Sequence, residues 1–257
     1  MAKFVRYKNG DNEAEWGLVN NEGKYLQIEG DVFTRYSITN RVVEPESVKI
    51  LAPAAPTKIV AAGLNFKEHA KELNMARPAE PLIFIKTSNT VAAHMDNIVL
   101  PAMSKRVDYE AELAIIIKNN IKDIGEEMVD ASILGYTCLN DVTARDLQEK
   151  DGQWSRAKCF DTFAPMGPYV TKDINPDKAA IRLFLNGELK QESNTSDFIF
   201  KVKRLVSYVS KIMTLYRGDV ITTGTPSGIG PMKEGDKVEV EIEGIGRLAN
   251  FVSRQNP

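Results

Sequence analysis

The sequence predicts an α+β protein made mostly of strands, with few helices. Three observations carry that expectation. Short apolar, β-branched runs recur from Phe4 to Val252, and turn residues separate them. Two hairpin-like turns, Asn186-Gly187-Glu188 and Glu243-Gly244-Ile245-Gly246, sit between such runs. Only one stretch, Phe200 to Leu215, carries a clear helical stripe, through Val202, Leu205, Val206, Val209, Ile212 and Met213.

Length and charge bound the rest. At 257 residues the chain is one large domain, or a small domain beside a larger one. With 33 basic and 35 acidic residues mixed along it, nothing points to nucleic acid or an anionic membrane as partner. The start has no apolar run of signal-peptide length, and no segment approaches the ~18 apolar residues of a membrane span. The two cysteines, Cys138 and Cys159, lack a CxxC spacing; a reduced, cytoplasmic protein is expected.

Residues 1–56 read as a small N-terminal β appendage. Phe4–Tyr7, Glu15–Val19 and Lys24–Ile28 are strand candidates, parted by turns at Asn9-Gly10-Asp11 and Asn20-Asn21-Glu22-Gly23. Prolines at 45, 53 and 56 mark a boundary, leaving 57–257 as the larger unit. Lys58–Ala62 is a buried strand, Gly63-Leu64-Asn65 a turn, and Phe66–Leu73 a short helix. His69 and Glu72 stand at i,i+3, so one helix face carries both and the carboxylate can orient the imidazole. As a surface pair they would be solvated charge instead. Pro81–Lys86 is a further strand; Lys86 is either a snorkelling strand-end lysine or a functional one. His94 falls in a loop and reads as surface.

The chain's organising stretch is Val107 to Ile117. Leu113–Ile117 is apolar enough for a strand buried on both faces. Alternation points Glu110 and Glu112 the same way, about 7 Å apart. Two like charges there repel, and burial worsens the conflict. A divalent cation would resolve it; so would pairing with nearby Lys105 and Arg106, or solvation at a strand end. Met128–Ile133 reads as a short helix, and Leu134–Leu139 as a strand stopping at Asn140-Asp141. Asp141 serves either as an N-cap to a helical turn over 142–148 or as a third oxygen ligand. Arg145 and Gln148 would share one face, able to grip a carboxylate or keto oxygen. Lys158 lies among apolar neighbours. Gly218–Gly230 runs from a strand into a glycine-rich loop without the Gly-Lys-Ser/Thr of a P-loop. Its N–H groups and threonine hydroxyls could hold a substrate carboxylate, or form a plain turn.

Singly these signals are weak, but their order is specific: Gly63-Leu64-Asn65 with His69/Glu72, Phe84-Ile85-Lys86, Tyr109-Glu110-Ala111-Glu112-Leu113, Asn140-Asp141-x-x-Ala144-Arg145-Asp146-x-Gln148, Ala157-Lys158-Cys159-Phe160 and Thr223-Gly224-Thr225-Pro226. The succession, over roughly residues 57–252, resembles the fumarylacetoacetate hydrolase family. The resemblance implies a mixed, mostly antiparallel β-roll, a homodimer, and bound Mg²⁺ or Mn²⁺. It implies Glu110, Glu112 and Asp141 as metal ligands, and His69 with Glu72 as a water-activating dyad on a lid helix. It implies Lys158 opposite the reacting oxygen, and Arg145, Gln148, Thr225 and Lys86 as substrate-binding positions. Thr87 and Cys159 depart from the residues frequent in the family, proline and serine, and no fourth aspartate ligand is evident.

The expected substrate is a small 2-oxo or 2,4-dioxo acid. The favoured activity is hydrolysis of acylpyruvates. Its runners-up are isomerisation or decarboxylation of hydroxydienedioates in aromatic catabolism, or of oxaloacetate. A non-catalytic 2-oxo-acid binder on the same scaffold is the reading of another class; it would not need the dyad.

Overall fold

The computed structural model describes residues 1–10, 13–72 and 76–254. Its strands form sheets of twelve, five and three, and its helices are few and short. Most pairings are antiparallel. Parallel ones join Val220–Thr222 to Lys58–Ala62, Val91–Ala92 to Ala164–Thr171, and Asn97–Leu100 to Gly246–Arg254. The expected mixed, mostly antiparallel architecture is the one observed.

The N-terminal meander consists of Phe4–Lys8, Glu15–Val19, Tyr25–Gly30 and Tyr36–Val43. Its first strand pairs with Ala164–Thr171, so the meander extends the large sheet. Val5, Tyr7, Tyr25 and Val43 nevertheless close a small apolar cluster of their own. Asp11 of the first expected turn lies outside the described residues, as does Leu73 at the end of the expected first helix.

Every residue of Ala111–Ile117 is buried, between Ile133–Asn140 on one side and Val220–Thr222 on the other. Its β-branched and leucine side chains suit a strand with no solvent face. The path continues through Lys58–Ala62 to Ile83–Thr87. Asn140, Ala111, Thr222, Ala62 and Ile83 all fall at the same end of these five neighbouring strands. The site is built at that end.

Several boundaries differ from expectation. The helix expected over Met128–Ile133 is Val129–Ser132, and Ile133 already begins the next strand. The long amphipathic helix is Val202–Ile212, with Val202, Leu205, Val206 and Val209 buried; Ile212 is half exposed because Met213 turns extended and ends the helix. Between Ala180–Leu185 and Glu188–Asn194 the turn residues Asn186 and Gly187 have φ of 54° and 82°. Both central positions of this hairpin are left-handed, which asparagine tolerates and glycine adopts freely.

Candidate active site

Glu110 sits at the break between strands Val107–Tyr109 and Ala111–Ile117. The break is clamped from the neighbouring strand end. The Glu110 N–H donates to Asn140 Oδ1 at 2.8 Å, and the Asp141 N–H donates to the Glu110 carbonyl at 2.8 Å. That exchange seats Asp141 beside the two glutamates. Carboxylate oxygens of Glu110, Glu112 and Asp141 lie within 4.8 Å of one another, and all three residues are buried.

Basic groups surround two of the three. Lys158 Nζ donates to Glu110 Oε2 at 2.9 Å and to Asp141 Oδ2 at 2.6 Å. Lys86 Nζ donates to Asp141 Oδ1 at 2.6 Å and to the Val142 carbonyl at 3.2 Å. Arg145 donates from Nε to Asp108 at 2.9 Å, from Nη1 to Gln148 at 2.5 Å, and from Nη2 to Glu110. Burial alone would raise the Glu110 carboxyl, but Lys158 and Arg145 hold it well below the usual carboxylate range. Glu112 is different. Its described partner is the Gly224 N–H, 2.9 Å from Oε2. Burial, and then the charge of Asp141, push its pKa well above the ordinary value. Arg106, expected as an alternative partner for the glutamates, instead grips Asp108 at 2.9 and 3.1 Å.

This donor set fits a hard divalent cation. An ion bonded at about 2.1 Å to oxygen holds neighbouring ligands about 3 Å apart and opposite ones about 4.2 Å apart, within the spread of the triad. Glu112, a buried carboxylate whose charge no side-chain cation meets at hydrogen-bond distance, is the part of the triad such an ion would satisfy.

Asp141 does not cap a helix. Residues Thr143–Ala144 form a short strand against Val107–Tyr109, and the helix Arg145–Asp151 begins after Ala144. The Asp141 carboxylate is thereby free to face Lys86 and Lys158. Lys158, at the end of the helix Ser155–Lys158, is buried, in keeping with its apolar neighbours in sequence.

The dyad lies on the helix Lys67–Glu72. His69 is buried, and its Nδ1 is 2.8 Å from Glu72 Oε2. With Nδ1–H donated to that carboxylate, Nε2 carries the free lone pair. Asn65 roots the helix: its Nδ2 donates to the carbonyls of Thr223 at 2.8 Å and Phe200 at 3.1 Å, and its Oδ1 accepts from the Phe200 N–H. Phe66 packs edge-on against Phe198, centroids 4.9 Å apart.

The glycine-rich loop holds the protein's own carboxylates. The Gly224 N–H serves Glu112, the Gly228 N–H donates to Glu72 Oε1 at 3.2 Å, and the Thr223 hydroxyl donates to the Leu113 carbonyl. Gly224 has φ of 83°, and a Cβ there would come within 3.0 Å of Asn65 Cβ, so glycine is required.

A cleft of about 260 Å³ opens over these groups, lined by His69, Glu110, Asp141, Arg145, Gln148, Lys158 and Thr225. Lys86 does not line it; its ammonium lies behind Asp141. His94, outside the cleft, accepts the Ala249 N–H at Nδ1, and burial lowers its pKa. Sequence reading assigns no positioning role to Asp108, which accepts from Arg145, to Asn65 beyond its turn, or to Gln191, buried beside Thr225. A strand-edge Asx or Gln pairs with whatever the fold brings near, so spacing along the chain gives no signal for it.

The model of the fumarylacetoacetate hydrolase C-terminal domain matches residues 58–253. The chain belongs to the fumarylacetoacetate hydrolase family. A second family model, Rv2993c-like N-terminal, matches residues 2–53. The chain is 41% identical over 223 residues to the mitochondrial oxaloacetate tautomerase Fahd2a of Rattus norvegicus, covering 82% of this chain and 71% of that protein. The crystal structure of 2-hydroxyhepta-2,4-diene-1,7-dioate isomerase from Mycobacterium marinum superposes with a TM-score of 0.92 at 37% identity, over the whole of both chains. The fumarylacetoacetate hydrolase of Exiguobacterium antarcticum gives 0.89 at 31% identity, over 99% of this chain and 100% of that one. Family membership is thus shared by proteins named for hydrolysis, isomerisation and tautomerisation.

Proposed function

We propose that the chain is a divalent-metal-dependent hydrolase of acylpyruvate-type 2,4-dioxo acids, with residues 57–257 as its catalytic unit. The observation that carries this reading is that His69, backed by Glu72, lines the same cleft as Glu110 and Asp141, two of the three carboxylates of the triad. A binding protein needs no oriented base.

Glu110, Glu112 and Asp141 would hold Mg²⁺ or Mn²⁺, which supplies Lewis-acid stabilisation of the negative charge on a departing pyruvate enolate. His69 Nε2 takes a proton from water as its oxygen attacks the 4-carbonyl carbon. Glu72 keeps the imidazole in the tautomer that can accept it, a contribution of about 10²–10⁴-fold. Lys158 Nζ, already charged between two carboxylates, stabilises the oxyanion formed at that carbon. The C3–C4 bond then breaks. The acyl half leaves as a carboxylate and the other half, once protonated at C3, as pyruvate; one proton is released to solvent. Arg145 and Gln148 orient the acid end of the substrate from the cleft wall.

Tautomerisation or isomerisation of a 2-oxo acid is the second reading, favoured by the identity to an oxaloacetate tautomerase. It would use the same base to move a proton between carbon and oxygen without adding water. A panel of acylpyruvates, oxaloacetate and hydroxydienedioates, assayed with Mg²⁺ or Mn²⁺, separates the two. Pyruvate release from acylpyruvates, lost in His69→Ala while cation binding persists, is the expected result. Fast tautomerisation without any pyruvate release overturns the first reading in favour of the second.

A further inference from the structure

The cleft has two chemically unlike sides. Its floor is charged, as described above. One wall is carbon: Leu64, Leu82, Phe84 and Trp154. Phe84 and Trp154 meet edge-on, centroids 4.9 Å apart at 75°. Gly63 completes the wall, since a Cβ there would stand 3.0 Å from both Leu82 and the Trp154 ring. At the base of this wall Lys158 Nζ lies over the Phe84 ring, 4.9 Å from its centroid, while Glu149, which also lines the cleft, is exposed and acidic.

The basic groups of the site are already committed. Arg145 serves Asp108, Glu110 and Gln148; Lys158 serves Glu110 and Asp141; Lys86 serves Asp141 and a backbone carbonyl. Among the described residues lining the cleft, none is a cation left over for a second carboxylate at the far end of a substrate.

From this asymmetry we infer that the site takes 2-oxo acids whose distal end is uncharged and apolar, a short alkyl or single-ring acyl group, and discriminates against dicarboxylic ones. The inference rests on the proposed function only for which end of the substrate meets the floor. An apolar end gains by covering Phe84, Leu82 and Trp154, where ring faces and edges offer contact. A carboxylate in the same place would lose its water against carbon, and the ammonium over Phe84, Lys158 Nζ at 4.9 Å from the ring centroid, is already neutralised by Glu110 and Asp141. That loss is the larger effect; repulsion from exposed Glu149 adds little, because water and salt screen it. A cleft of about 260 Å³ lies below the ~300–1,000 Å³ of sites for drug-sized ligands, which keeps the acyl group small.

Two six-carbon probes test this: 2-oxohexanoate and 2-oxohexanedioate, alike in length and differing in the terminal carboxylate. Calorimetric titration of each into the Mn²⁺-supplemented protein should show the monoacid bound about tenfold tighter or more. Leu82→Arg, a change at a rim position that is 46% exposed and therefore tolerant, should narrow the gap by tightening the diacid. Equal or tighter binding of the diacid by the unaltered protein overturns the inference while leaving the proposed function standing. Binding of neither probe overturns the proposed function, and the inference with it.

Discussion

Gln191 Nε2 donates to Thr225 Oγ1 at 2.9 Å and to the Pro226 carbonyl at 2.9 Å, while Gln191 Oε1 accepts the Ala111 N–H at 2.9 Å. One buried amide therefore fixes the spacing between the Thr225 loop and the strand that presents Glu110 and Glu112. Gln191→Met preserves length and removes these bonds. It should destabilise the fold by about 1–3 kcal/mol, because buried partners are left unsatisfied. If Gln191 positions the site, KM should also rise more than kcat falls; urea unfolding and steady-state kinetics read the two effects separately. A stability loss with unchanged kinetics would assign Gln191 to the fold alone.

A divalent cation held by the triad would draw on the two carboxylates that Lys158 already serves, Glu110 and Asp141. Lys158→Met should therefore bind Mn²⁺ as tightly as the unaltered protein or more so, while turnover drops by orders of magnitude. Calorimetry with MnCl₂ checks the first half. Loss of cation binding in a folded Lys158→Met protein would show that the ammonium organises the triad rather than competing for it.

Glu112 carries the least compensated charge of the triad. Removing that charge with Glu112→Gln keeps the shape and relieves repulsion from Asp141 and Glu110. Without added metal the variant should melt no lower than the unaltered protein. The rise in Tm on adding excess Mg²⁺ or Mn²⁺, which follows from cation binding to the folded state, should disappear. Differential scanning fluorimetry with and without cation measures both.

Asp219, just before the strand Val220–Thr222, ties down the start of the strand Lys58–Ala62. Its Oδ1 accepts from the Thr57 and Lys58 N–H groups and the Thr57 hydroxyl, and its Oδ2 from Lys58 Nζ at 2.5 Å and the Tyr216 N–H. Burial opposes its charge, yet Lys58, Tyr216 and Thr57 together lower its pKa below the ordinary 3.8. A depressed folded value means the unfolded chain binds the proton more readily. The stabilisation is thus complete above 3.8 and is lost as pH falls through that value and below the folded one. Asp219→Asn should cost on the order of 3 kcal/mol at neutral pH and flatten the acid limb of the stability curve. Urea unfolding across pH tests this.

Much of the site was legible because its chemistry is local. The i,i+3 spacing of His69 and Glu72, the alternation of Glu110 and Glu112, and the β-branched run after them each need only a few neighbouring residues to interpret. The misread parts depend on distant partners. The N–H groups of the Gly224 loop were open to a substrate carboxylate in sequence terms; the fold turns them onto Glu112 and Glu72. For Asp141 an N-cap stood open beside an oxygen ligand, because nothing near it shows that Thr143–Ala144 pairs with Val107–Tyr109 and delays the helix. For Lys86 a snorkelling strand-end role stood open beside a functional one, and only tertiary structure buries it, with Lys158, against Asp141.

The five strand ends that meet at the cleft come from far apart along the chain: Glu112 and Gly224 are 112 residues apart, Asn65 and Thr223 158. The pocket needs such long loops closed, an entropy cost met before the contacts repay it. Cation capture should accordingly follow the slowest refolding phase instead of seeding it. A nascent chain still short of residue 224 would have Glu110, Glu112 and Asp141 all translated and still no cradle to hold them.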